Sequence, residues 1–104
     1  MFSQILTMHL KPNHVTDLVK VIDDSVLPLL RKQEGFTDAV FFADSNGTEA
    51  TAISLWDRKE HAENYANKSY PQVLQSLMPL LDGTPQVKPL NVIRSTFQKV
   101  AAAV

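Results

Sequence analysis

The chain of 104 residues contains no cysteine. Disulfides, thiol nucleophiles and cysteine-held metals are therefore excluded. Glycine is scarce, with only Gly35, Gly47 and Gly83. Gly35 and Gly83 fall where helices should end, and Gly47 falls in a hairpin turn. None remains for a phosphate-cradling loop, so nucleotide-binding fingerprints are missing. An excess of charge is also lacking: ten Lys and Arg stand against eleven Asp and Glu, for a net charge of −1. With no basic stripe, nucleic acid is not an expected partner. No apolar run approaches the roughly 18 residues of a membrane span. The opening "MFSQILTMHLK" has no basic leader and alternates as a strand does. A soluble, cytoplasmic protein without a membrane partner is expected.

Hydrophobic residues make up 44% of the chain and charged residues 20%, a composition that folds. The length suits one domain over residues 1–104. Phe2 to Leu10 alternates with period two and reads as a strand. Val15, Leu18, Val19, Ile22, Val26, Leu29 and Leu30 recur at helical spacing. Pro28 should kink that helix, and Gly35 should cap it. Phe36 to Ala43 and Thr48 to Trp56 are strands rich in Phe, Val, Thr and Ile. Asp44-Ser45-Asn46-Gly47 joins them, with positive φ expected at both Asn46 and Gly47. Asp57 and Glu60 have the spacing of a capping box, which starts a helix over 58–67. A second helix restarts at Ser69 and runs to Gly83. Val87 to Gln98 is a last strand with Pro89 suited to an edge, and Ala101 to Val104 reads as a frayed tail.

The order is β-α-β-β-α-β, an α+β ferredoxin-like arrangement: a four-stranded antiparallel sheet with helices on one face. Two helices cover only one face of such a sheet, so the other should be polar in a monomer. Here both are apolar. Phe36, Val40 and Phe42 oppose Ala39, Phe41 and Ala43; Ile53 and Leu55 oppose Ala50, Ala52 and Trp56; Leu90 and Val92 oppose Ile93 and Phe97. An exposed apolar sheet face is normally an interface, so a homodimer joined sheet to sheet is expected.

Several features resemble a known family. They are "RKQEGF", the hairpin, "SLWDRKEHAENYANKSY" and the leucine-rich helix after it. Over roughly residues 1–99 they are similar to the antibiotic-biosynthesis-monooxygenase-like members of the dimeric α/β-barrel superfamily. The resemblance implies a cleft between sheet and helices in each subunit of a homodimer. Some members oxygenate phenols or quinols there with O₂ and no metal or flavin, the substrate supplying the electrons. Such a protein holds the ring, aids ionisation of a hydroxyl and stabilises the anion. Haem-degrading relatives are also similar, but Leu6, Tyr65 and Gln75 stand where those proteins use Asn, Trp and His. The resemblance therefore implies no haem, and no cofactor of any kind.

Within that frame His61, Tyr65 and His9 are the candidate catalytic residues. Trp56, Tyr65, Tyr70, Phe42 and Arg94 are the candidate substrate-binding residues. Each also has a plainer reading. Trp56 suits a core edge, and His61 suits an exposed position on a charged helix. His9 could line a cleft or the dimer seam, and Arg94 suits a paired surface position. Tyr65 falls on one stripe with Ala62, Ala66 and Ser69, whose small side chains let the helix approach the sheet. The histidines, with His14 solvated at a helix start, do not have metal-ligand spacing. Two functions follow from different classes. One is a cofactor-independent monooxygenase acting on a small phenolic or quinol-type aromatic. The other is a non-catalytic dimeric domain, either a binder of small apolar or aromatic molecules or a stress-related protein.

Overall fold

The computed structural model describes residues 1–96. Strand β1 (Phe2–His9) leads to α1 (Val15–Val21), a π-helical turn (Ile22–Val26) and α2 (Leu27–Arg31). Strands β2 (Phe36–Ala43) and β3 (Glu49–Trp56) form a hairpin. Helices α3 (Lys59–Lys68) and α4 (Tyr70–Leu77) follow, then a 3₁₀ turn (Met78–Leu80) and β4 (Gln86–Asn91). The sheet order is β2-β3-β1-β4, antiparallel throughout. This is the ferredoxin-like fold.

The first helical segment does not simply kink. Pro28 has no N–H, and its ring crowds the carbonyl four residues earlier, at Asp24. The helix responds before the proline by widening into the π turn, which contains Asp24, and α2 starts afresh with Pro28 in its first turn. Leu18, Ile22, Val26 and Leu30 are all buried. Residues four apart drift around a helix of 3.6 residues per turn. The wider turn counters that drift and keeps the four on one wall.

Several expected details are corrected. Gly35 is not the helix cap: α2 ends at Arg31, and Gly35 turns the chain into β2 with φ +82°. In the hairpin only Gly47 has positive φ, at +70°. The Asp44 carboxylate accepts from the Thr48 N–H at 2.8 Å and braces the five-residue connection 44–48 between β2 and β3. Arg58, not Asp57, precedes α3, and no side chain caps that helix. Strand β4 stops at Asn91, short of the expected Gln98. The expected tail at 101–104 and the place of Phe97 lie outside the described residues.

Cross-strand partners share a face, so the register sorts the strands. Leu6, Ala52, Phe41 and Val87 form one row toward the helices. Ile5, Ile53, Val40 and Lys88 form a row on the other face. A bulge between Phe36 and Asp38 moves Phe36 to the helix side, opposite Trp56 and away from Val40 and Phe42. The core lies between helices and sheet, with Trp56 and Met8 its largest fully buried side chains.

Candidate functional site

A cavity of about 190 Å³ lies inside this layer. One wall is the Leu18–Ile22–Val26–Leu30 stripe that the π turn keeps in line. The floor is the inward face of the sheet, including Leu6, Met8, Phe41 and Ala52. The far wall is α3 and α4, through Tyr65, Ala66, Tyr70, Val73 and Leu77. Its polar lining is confined to Gln4, Ser54, Tyr65 and Tyr70.

Tyr65 and Tyr70 belong to a column of rings. Phe36 meets Trp56 edge-on at 5.6 Å, Trp56 lies 5.1 Å from Tyr65 at a tilt of 31°, and Tyr65 meets Tyr70 at 6.4 Å. Ala62 is fully buried and Tyr65 is 9% exposed, so the small residues of α3 do carry Tyr65 inward. Among the described residues neither tyrosine hydroxyl has a hydrogen-bond partner. No polar side-chain atom is sealed away unpaired either, so both hydroxyls open onto space. Burial pushes the Tyr65 phenol far above its ordinary range, with a smaller push from Tyr70, and burial raises Tyr70 as well. Both are neutral at physiological pH and act as donors rather than bases.

Trp56 is wholly buried and stands behind Tyr65 instead of lining the cavity. Its indole N–H donates to Ser54 Oγ at 3.0 Å. Gln4 lies directly across from Ser54 and donates to the Ala62 carbonyl at 3.4 Å.

The other expected site residues lie elsewhere. His61 is pinned outside the cavity: its Nδ1 is 2.6 Å from Asp57 Oδ1, and its Nε2 is 3.3 Å from Glu34 and 3.2 Å from the Arg58 guanidinium. This cluster ties the α2–β2 turn to the start of α3. His9 points to the outer sheet face, largely exposed, 3.6 Å from Glu49. Phe42 is on that same face, 53% exposed. Arg94 is exposed beyond the end of β4 and does not line the cavity. The structure thus brings Tyr65 and Tyr70 together with Trp56 behind them, and separates His9, His61, Phe42 and Arg94 from them. Gln4 and Ser54 are the lining residues that sequence reading passed over. Their signal was present: each is the polar exception within an inward apolar set, Gln4 between Phe2 and Leu6, Ser54 between Ala52 and Trp56.

The lining is chemically restrained. No His, Arg, Lys, Asp or Glu borders the cavity among the described residues. Nor do the described residues hold a group of three His, Asp or Glu suited to a metal ion. No helix there is long and apolar enough to cross a membrane. The arrangement can hold an apolar ring and offer it neutral hydrogen-bond donors.

The fold recurs in solved structures. A monooxygenase from the gene ActVA-Orf6 of Streptomyces coelicolor, in complex with nanaomycin D, matches with a TM-score of 0.77. It is 20% identical, over 92% of this chain and 90% of that one. SnoaB, a cofactor-independent oxygenase from Streptomyces nogalater, matches at 0.74 with 9% identity, over 93% and 97%. NE2512 from Nitrosomonas europaea, a protein of unknown function, matches at 0.75 with 14% identity, over 92% of each chain. No protein-family model and no curated protein matches the chain. At this level of identity the likeness establishes the fold: the chain has the fold of the antibiotic-biosynthesis-monooxygenase-like proteins.

Proposed function

We propose that the protein is a cofactor-independent monooxygenase that acts with O₂ on a small phenolic or quinol-type aromatic. The observation that carries this reading is the apolar cavity lined by two tyrosines whose hydroxyls have no hydrogen-bond partner among the described residues, in a fold shared with a cofactor-independent oxygenase. An engineered apolar cavity of about 150 Å³ admits benzene, and about 190 Å³ suits one substituted ring. For a phenol the reaction balances without an added reductant. One atom of O₂ replaces the ring hydrogen para to the hydroxyl, giving a quinone, and the other leaves as water. The substrate supplies all the electrons. In this reading Tyr65 and Tyr70 donate to the substrate oxygen as it takes on negative charge, in surroundings where such bonds are strong. No side chain of the lining takes the substrate proton, so that proton goes to solvent as the ring enters.

That same lack of an ionisable base favours a second reading, a binder of small aromatic molecules without catalysis. Oxygen uptake separates the two. Phenols should give quinones and hydroquinones should give hydroxyquinones, each consuming one O₂ per ring and releasing water, and Tyr65→Phe should slow uptake at least tenfold while keeping the fold. Ligand binding with no uptake across the panel would leave the binding reading.

The assembly we propose is a homodimer joined through the outer sheet face. That face carries Ile5, Val40 and Ile53 in one row, with exposed Phe42 and Leu90 in the flanking rows. Water contact with so much apolar surface is unfavourable, and a second copy would remove it.

A further inference from the structure

Ser54 holds a proton that nothing among the described residues accepts. An indole N–H is a donor only, so in the 3.0 Å contact with Trp56 the Ser54 oxygen is the acceptor. Trp56 cannot turn away: it is completely buried, with the Phe36 and Tyr65 rings against it. The Ser54 hydroxyl keeps its own hydrogen to donate. The residue sits on the inward face and lines the cavity, and a bond accepted from Trp56 polarises its O–H and makes it a better donor. Its cross-strand neighbour Gln4 gives one of its two amide N–H groups to the Ala62 carbonyl and makes no hydrogen bond with Ser54.

We infer that Ser54 selects the ligands of this cavity, and that they are single aromatic rings carrying a carbonyl or phenolate oxygen that accepts the Ser54 proton. The inference rests on the reading of the cavity as the binding site, and it holds whether or not oxygen chemistry follows. A ring without an acceptor leaves a donor unpaired among apolar side chains, which costs binding. A ring with a well-placed oxygen pairs that donor within a cavity that Tyr65 and Tyr70 also line. Trp56 is the positioning residue that holds Ser54 in place.

The test uses acetophenone and α-methylstyrene, which have the same shape and differ in a carbonyl oxygen against a methylene. Calorimetry measures both against the wild-type chain, Ser54→Ala and Ser54→Thr, with unfolding midpoints as a check on folding. The expected result is that Ser54→Ala weakens acetophenone about fivefold to tenfold, the worth of one hydrogen bond. It should leave α-methylstyrene unweakened or bind it more tightly, because the unpaired donor is gone, and Ser54→Thr, which keeps the hydroxyl, should restore most of the acetophenone affinity. An equal loss for both ligands would mean that Ser54 only shapes the cavity, and would overturn the inference. So would a wild-type chain that binds neither. Oxygen uptake is not read, so failure of the oxygenase reading leaves this result untouched.

Discussion

The Trp56 indole N–H donates to the hydroxyl of Ser54, two residues earlier on the same strand. Side chains two apart on a strand share a face. One contact therefore couples the buried column of rings to the polar patch of the cavity.

Removing the larger partner should be costly. Trp56→Ala leaves a hole beside Phe36 and Tyr65 and should lower stability by about 3–5 kcal/mol. Trp56→Phe refills part of that space and should cost less. Urea unfolding of both variants measures the difference.

Gly35 is a second sensitive point. Its φ of +82° is strained for any side chain, and a Cβ there would overlap the Asp57 carboxylate and the His61 ring. Gly35→Ala should destabilise by more than about 1 kcal/mol, the cost of left-handed backbone alone. In the unfolding series it should lose its excess cost when combined with His61→Ala and Asp57→Ala, because the overlap is then gone.

Acid should weaken the same junction. The hydrogen bond from His61 is the chief cause that holds the Asp57 carboxyl below its ordinary 3.8, against a smaller opposing push from burial, with His61 and Arg58 adding to the lowering. The folded value lies below the unfolded one, so the unfolded chain binds more protons in acid. The contribution is present above about pH 4 and is lost as pH falls through the folded value. Asp57 is half-exposed, so salt screens it. Urea midpoints from pH 6 to pH 2 should fall less steeply for Asp57→Asn than for wild type, and the gap should narrow in high salt.

The proposed dimer gives a fourth expectation. Ile53 is in the middle of the outer row, between Val40 and Ile5. Ile53→Lys should yield a folded monomer, where the wild-type chain sediments as a dimer at micromolar concentration with an interface of about 2,000 Å² or more. A wild-type monomer under those conditions would reject the assembly.

The alternation of Phe2 to Leu10, the helical recurrence from Val15 to Leu30 and the Gly47 turn were enough to specify the order of elements and the ferredoxin-like fold. Periods of two and 3.6 residues are local properties, and a chain reports them directly. The stripe of Ala62, Tyr65 and Ala66 likewise places Tyr65 against the sheet by its spacing alone. What lay beyond local pattern was less legible. Asp57 has the spacing of a helix cap, yet its carboxylate turns to His61, because Gly35 and Glu34 arrive from a distant part of the chain and draw the imidazole over them. The single bulge after Phe36 reassigned that residue's face, and a one-residue slip is invisible to a period-two pattern.

The chain by itself determined that Trp56 and Tyr65 would meet at one edge of the core, since their spacing puts them on inward positions of neighbouring elements. Only the tertiary structure decided which residues face one another across empty space. It set Ser54 beside Gln4 on the cavity floor, brought Tyr65 and Tyr70 into the same lining, and carried His9, His61, Phe42 and Arg94 elsewhere. The physical reason is that a cavity is space left unfilled by surfaces remote in sequence. Here its width depends on a helix that loosens ahead of Pro28 and on a strand register that no local pattern encodes.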